Sequence, residues 1–278
     1  MPEGHTIHAL AGRLEAAFAG TPVRFSSPQG RFAESASVLD GARVESAEAH
    51  GKHLAIHVEG ERVVHVHLGL FGRFGVRRHR RVDRGEAPTD LPLTGQVRMR
   101  MVNRTHVGDL RGPIVCELVG LEEWQEVEAG LGADPLRGER LPQEVLDRIG
   151  RSRRAIGAVL MDQSLVAGVG NVYRAELLHR HEIDPHTPAR DVPTRLVHEV
   201  WDDLVRLMPL GVRTGRILVS DGDVGRAEAL LADGGTGRVR PRYAVYRRHG
   251  KPCPRCGETV VKEAMAGRNL FWCPGCQV

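Results

Sequence analysis

The sequence has little of what membrane spans and secreted scaffolds need. No run of eighteen apolar residues occurs anywhere in its 278 positions, so no stretch reads as a spanning helix and no membrane partner is expected. The start carries no basic-then-apolar signal segment, so the reading is a soluble, cytoplasmic protein. Cysteine is scarce, with five residues in all. No disulfide framework fits them, and a reducing compartment follows. Lysine is scarcer still: Lys52, Lys251 and Lys262 are the only ones among 39 basic residues. Arginine therefore carries the net charge of +4, a modest basic excess that is compatible with a nucleic-acid partner without demanding one. The length suits two domains or one large one, and an apolar content of 41% supplies an ordinary globular core.

Four of the five cysteines form two C-x-x-C knuckles, Cys253/Cys256 and Cys273/Cys276, with sixteen residues between them. That spacing lets four thiolates converge on one tetrahedral Zn²⁺ at the base of a β-hairpin, with Gly257 and Gly275 as turn residues. Four sulfur ligands leave the metal no open position, so one structural zinc is expected and the chemistry must lie elsewhere. The fifth cysteine, Cys116, sits in the alternating apolar run 114–118 and reads as a free buried thiol.

Near the start, Ile7, Leu10, Ala11, Leu14, Ala17 and Phe18 fall at helical spacing, ending at Gly20 and Pro22. From about Val23 to Leu121 the period changes to two, clearest at 53–58, 62–68, 96–102 and 114–118, which predicts an antiparallel sandwich or barrel. Arg98 and Arg100 share one strand face and His65 and His67 another, so a basic face over an apolar one is expected. The charged, proline-containing stretch 77–92 reads as a mobile surface loop. At Gly132-Ala133-Asp134-Pro135 the pattern switches to helices, expected over 143–149, 156–163, 172–181, 193–208 and 213–219. The loop Gly168-Val169-Gly170-Asn171 brings glycines to a helix start, where exposed amides form a seat for a phosphate. Residues 220–240 read as a flexible linker or lid.

The start Met1-Pro2-Glu3-Gly4, Lys52 in the turn His50-Gly51-Lys52-His53, the run Met161 to Arg174 and the four-cysteine finger carrying Arg268 together resemble the Fpg/Nei family. These are the formamidopyrimidine-DNA glycosylase and endonuclease VIII type base-excision repair enzymes. The resemblance implies an α+β chain in three parts: an N-terminal catalytic β-sandwich with its leading helix (1–132), a helix-two-turn-helix DNA-binding domain with a flexible linker (133–240) and a zinc finger (241–278). It implies a monomer acting on damaged double-stranded DNA, with single-stranded or bubble DNA as further substrate forms and a nucleoid location if the source is bacterial. Removal of Met1 would expose the Pro2 amine. Because a terminal amine has a reference pKa near 8, against about 10.4 for lysine, Pro2 would serve as nucleophile at neutral pH. Glu3 would be the general acid and proton shuttle, and Lys52 would approach the same sugar or its phosphate. Asn171 and Arg268 would grip phosphates, Tyr246 and His67 would add contacts, and Leu70 with Phe71 would fill the space left by the extruded base. The implied activity is removal of oxidised bases and β,δ-elimination of the strand through a Schiff base on Pro2.

The chain departs from the formamidopyrimidine branch, which opens Pro-Glu-Leu-Pro-Glu and carries an Arg-Arg-Phe wedge. Here the start reads Pro2-Glu3-Gly4-His5-Thr6, and Gly108 to Pro113 stands at the wedge, with Arg111 as a partial substitute. Residues 220–240 do not match the lid for oxidised purine, so oxidised pyrimidines are favoured. The alternatives are a purine-directed formamidopyrimidine-DNA glycosylase and a catalytically silent paralogue that binds damaged DNA. A zinc deaminase, suggested by His57-x-Glu59 and Pro252-Cys253-x-x-Cys256, leaves Cys273 and Cys276 unexplained.

Overall fold

The computed structural model describes residues 2–79, 91–138, 140–234 and 239–278. They form two compact units, one of Pro2 with 7–130 and one of 3–6 with 131–278. Met1, most of the expected 77–92 loop and residues 235–238 lie outside the described residues.

In the first unit, helix α1 (Gly4–Phe18) forms where the apolar spacing predicts it, and Ile7, Leu10, Ala11, Leu14, Ala17 and Phe18 are all buried. Two four-stranded antiparallel sheets enclose the same core. One runs β1 (Arg24–Ser26), β6 (Met99–Val102), β7 (His106–Arg111), β5 (Arg73–Arg78); the other runs β2 (Val44–His50), β3 (His53–Val58), β4 (Arg62–His67), β8 (Val115–Gly120). Period two is plain on β3, where Leu54, Ile56 and Val58 face the common core. Its other face is also covered: Ala55 and Val63 pack with Trp124 of α3 (Leu121–Ala129) in a second, small cluster. Helix α2 (Ala33–Leu39) and the short strand β1 carry too little periodicity for the sequence to announce them.

The expected basic face is absent at Arg100. Its guanidinium is buried, donates to both Asp109 carboxylate oxygens (2.7 and 3.0 Å) and caps the carbonyls of Leu91 and Pro92. Burial of a guanidinium requires such a fork-on-fork partner, and Asp109 supplies it from the neighbouring strand. Cys116 is buried as expected, and burial pushes its thiol pKa up to about 12.

The second unit is helical, with α4 (Gln143–Arg151), α5 (Ile156–Val159), α6 (Asn171–Arg180), α7 (Thr194–Thr214) and α8 (Asp221–Ala232), followed by the hairpin β9 (Val261–Met265) and β10 (Arg268–Trp272). Three expectations need correction. Helix α5 is a single turn. Helix α7 continues through Pro209 instead of ending before it, because Leu207, Met208, Leu210 and Gly211 are buried around the proline; it stops at Gly215, whose φ is +67°, so Arg213 and Thr214 end α7 and the separate helix expected over 213–219 does not form. The supposed linker contains α8, capped by the Ser220 hydroxyl on the Asp223 amide, with Asp221 and Asp223 in its first turn and Val224 and Ala227 buried. The core of this unit is continuous from the helices to Cys253, Val260, Phe271, Cys273 and Cys276.

Asp109→Ala leaves the Arg100 guanidinium buried without its carboxylate. It is expected to cost about 3–5 kcal/mol in chemical denaturation, whereas a paired Arg100→Met/Asp109→Leu exchange should recover most of that loss.

Candidate active site and metal centre

The amides at the start of α6 are occupied by the chain itself. Glu3 belongs to the helical unit and is 0% exposed, and its Oε1 accepts the Val172 N–H at 2.8 Å while Oε2 lies 3.5 Å from the Tyr173 N–H. The seat predicted for a phosphate therefore holds a carboxylate, placed where the helix dipole favours negative charge. The glycines explain the fit. A Cβ on Gly170 would stand 2.4 Å from Glu3 Cδ, and one on Gly4 would stand 2.8 Å from Gly168 Cα, where the Gly4 amide donates to the Gly168 carbonyl at 2.8 Å. Next to Glu3, the His5 ring meets Tyr173 edge-on, with centroids 5.8 Å apart.

Asn171 opens the same helix and is buried. Its Nδ2 donates to the Asn269 carbonyl of β10 at 2.8 Å, and its Oδ1 accepts from Arg174. Among the described residues its second amide hydrogen has no acceptor. Arg174 is fully buried and also donates to the Met265 carbonyl at 3.2 Å. Burial lowers its pKa to about 10, and the charges of Glu3 and Arg268 act on it in opposite senses. Glu176, one turn further on, accepts the amides of Ala244, Val245 and Tyr246 at 2.7–2.9 Å. Sequence reading passed over Arg174 and Glu176 as functional residues. Their signal was charge on a helix otherwise buried along its length. The Tyr246 ring is packed between Tyr243 and Phe271, with Arg247 above it. Arg268 is exposed at the start of β10 and donates to the Gly267 carbonyl at 3.1 Å.

In the sandwich unit, Lys52 stands half-buried in the β2–β3 turn. Its charge is felt at His53 and His67. The His67 ring accepts the Gly69 N–H on Nδ1 at 3.1 Å, so the neutral ring carries its proton on Nε2. Burial, and secondarily Lys52 and His65, hold the His67 pKa below its ordinary value. His53 bonds to His65 at 2.9 Å, and burial with the neighbouring positive groups takes its pKa down to about 3. Leu70 and Phe71 protrude from the following turn, Phe71 with 87% of its surface exposed. Beside them stands Ile114, 69% exposed and tight against Gly69, an apolar neighbour that sequence reading missed. Arg111 is partly buried, donating to the Thr94 carbonyl of the segment before β6 and to Asp109 of its own strand, so the partial wedge substitute is engaged within the sandwich unit.

The four finger cysteines come together, their sulfurs all within 4.8 Å of one another. Separations of 3.8 Å (Cys253–Cys276) and 3.5 Å (Cys256–Cys273) match the roughly 3.8 Å edge of a tetrahedron with Zn–S bonds of about 2.3 Å. The donor set therefore fits one structural Zn²⁺. His57, invoked by the deaminase reading, instead bonds to Glu48 at 2.9 Å.

Comparison with known proteins agrees with this architecture. Residues 1–112 match the formamidopyrimidine-DNA glycosylase N-terminal domain, 131–222 match the formamidopyrimidine-DNA glycosylase H2TH domain, and 250–278 match the zinc finger found in FPG and IleRS. The chain is 50% identical over 282 residues to endonuclease 8 1 of Mycobacterium tuberculosis, covering 100% of both. It is 31% identical to the formamidopyrimidine-DNA glycosylase of Neisseria meningitidis, over 86% of this chain and 84% of that protein. The fold matches Lactococcus lactis Fpg bound non-covalently to DNA containing an AP site (TM-score 0.76, 19% identity, 99% of both chains). It also matches MutM (Fpg) of Thermus thermophilus (TM-score 0.74, 26% identity, 99% and 98% of the two chains). With an endonuclease 8 half-identical along its full length, and with all three characteristic segments in order, this chain belongs to the Fpg/Nei family of base-excision repair DNA glycosylases.

Proposed function

We propose that this glycosylase and AP lyase excises oxidised pyrimidines ahead of oxidised purines, using the Pro2 amine as nucleophile. Once Met1 is removed, the Pro2 nitrogen attacks C1′ of an extruded nucleotide, the C1′–base bond breaks, and the base leaves with the proton shed by the amine; the C1′–O4′ bond then opens as Glu3 protonates the ring oxygen, which leaves C1′ doubly bonded to the Pro2 nitrogen. The resulting iminium makes the C2′ hydrogen acidic, and its loss expels the 3′ phosphate; a second elimination expels the 5′ phosphate. The observation that carries this reading is the burial of Glu3, the residue next to Pro2, on the first-turn amides of α6. A carboxylate so held has a fixed reach toward its neighbour, as a proton carrier needs. Lys52 is assigned to the sugar or its phosphate, and the Nε2–H of His67 to a phosphate oxygen. Arg268 and the spare amide hydrogen of Asn171 are assigned to phosphates beside the lesion, with the Tyr246 hydroxyl as a further contact. Leu70 and Phe71 are assigned to the vacated stack. The Pro2-Glu3-Gly4 opening and the absence of the purine lid pattern favour pyrimidines; a panel of dihydrouracil, thymine glycol, hydroxyuracil and 8-oxoguanine duplexes tests that preference.

Borohydride should trap the wild-type protein covalently on abasic DNA, and Pro2→Gly, which keeps a terminal amine, should retain part of the trapping. Tight binding without any adduct would instead identify a silent paralogue. Glu3→Gln should lower base excision by about 10²–10⁴-fold while sparing strand scission at preformed abasic sites. Excision at the normal rate in that variant would remove the acid assignment.

Gly170→Ala should push the Glu3 carboxyl aside and lower single-turnover excision by about 100-fold, with affinity for an abasic-analogue duplex largely kept. Leu70→Ala should reduce excision from duplex by about tenfold and from single strands far less, since only a duplex leaves a void and a buried leucine is worth about 1.5–3 kcal/mol. Equal losses on both substrates would argue against void filling.

A further inference from the structure

Four thiolates around one Zn²⁺ carry a net charge of about −2, and three of the four cysteines are buried. Such a centre is costly unless N–H donors reach the sulfurs. At Cys253 one donor is local, the Arg255 amide at 3.4 Å. The other comes from outside the finger: His179 Nε2 lies 3.2 Å from Cys253 Sγ, with both residues buried. His179 sits in the last turn of α6, the helix whose first turn holds Glu3.

We propose that His179 is a positioning residue for the zinc centre, donating its Nε2–H to the Cys253 sulfur and so docking the metal knuckle on the helix that orients Glu3. An imidazole can give one hydrogen to the sulfur without competing for the metal, because the four sulfurs already complete the tetrahedron. The contact does not stand alone. Arg255, inside the first knuckle, donates to the carbonyls of His179 (3.3 Å) and Arg180 (3.2 Å) and pairs with Glu182 at 2.6 Å. Gln277, next to the last cysteine, accepts the Cys273 amide and donates to the Ile183 carbonyl, both at 2.9 Å. Those links fasten the backbone of the knuckle to the end of α6 and the turn beyond it. Of these links between the knuckle and α6, the His179 contact is the one that touches a ligand atom, so it relates the charge of the metal centre to the position of the helix. The opposite end of the hairpin meets the opposite end of the same helix, through Asn171 and the Asn269 carbonyl. The finger is thus held at both ends of α6, at one of them through a metal ligand.

The test uses the full-length, zinc-loaded protein. His179→Phe keeps the ring but removes the N–H, and His179→Gln returns an N–H near the Nε2 position. Zinc transfer to an excess of a colorimetric chelator should be about tenfold or more faster in His179→Phe and largely restored in His179→Gln. In the cobalt-substituted proteins, the sulfur-to-metal charge-transfer band should shift in the Phe variant and return in the Gln variant. Unchanged release and an unchanged band in His179→Phe would overturn the proposal, as would equal lability in both variants, which would mean that ring packing matters and the hydrogen bond does not. Wild-type protein loaded with ¹¹³Cd gives a reading free of any folding defect: a scalar coupling between the metal and the His179 Nε2 proton across the sulfur is expected, and its absence would refute the contact.

Discussion

The fold of the helical unit turns on one carboxylate buried against one helix start. Glu3 arrives from the front of the chain and fills the amides at Val172 and Tyr173, a position that leaves no room for a side chain on Gly170. Burying a carboxylate without partners would be prohibitive, and partially free amides at a helix start are an incomplete structure in their own right. Each defect satisfies the other. The arrangement fixes where the second and third residues of the chain can be, which is why a catalytic role for a chain terminus is physically reasonable here, although termini are ordinarily the least ordered part of a protein.

Helix α6 is unusual in being buried along its length while carrying Asn171, Arg174, Glu176 and His179. Each of these side chains is spent on a distant segment: Asn171 and Arg174 on the hairpin carbonyls, Glu176 on three successive amides before the finger, His179 on a zinc ligand. Apolar packing could bury such a helix with less desolvation cost, but it would not specify the axial position or rotation of the hairpin so sharply. Directional bonds to fixed carbonyls and amides do. In the sandwich unit the corresponding device is Arg100 with Asp109, which ties adjacent strands β6 and β7 and the loop at Leu91.

Much of the architecture was legible because it is written in short-range repetition. The three-and-four spacing from Ile7 to Phe18 could only bury one helical face, and the alternation on β3 and β4 could only face a sheet core. Helix α8 was missed because Gly222, Gly225 and the many charges around it hide the apolar spacing, although the Ser220 cap with acids behind it was readable. For helix α7 the sequence predicts an end at 208 because a proline is a local signal for a break, whereas its neighbours' burial is a non-local one. At the candidate site the same division holds. Lys52, His67, Leu70 and Arg268 were named from motif position, but the His53–His65 bond behind Lys52 and the exposed Ile114 beside the Leu70 turn depend on strand register.

By itself the sequence determined the metal centre, since four thiols in two close pairs admit few other uses, and it determined the family and the order of its parts. The tertiary structure alone decided what fills the helix start, a carboxylate 169 residues away and not a phosphate, and which side chain, 74 residues away, reaches the Cys253 sulfur. The physical reason is range: ligand spacing and periodicity are properties of neighbouring residues, whereas the neutralisation of a buried charge is settled by whichever distant group the fold brings within hydrogen-bond reach.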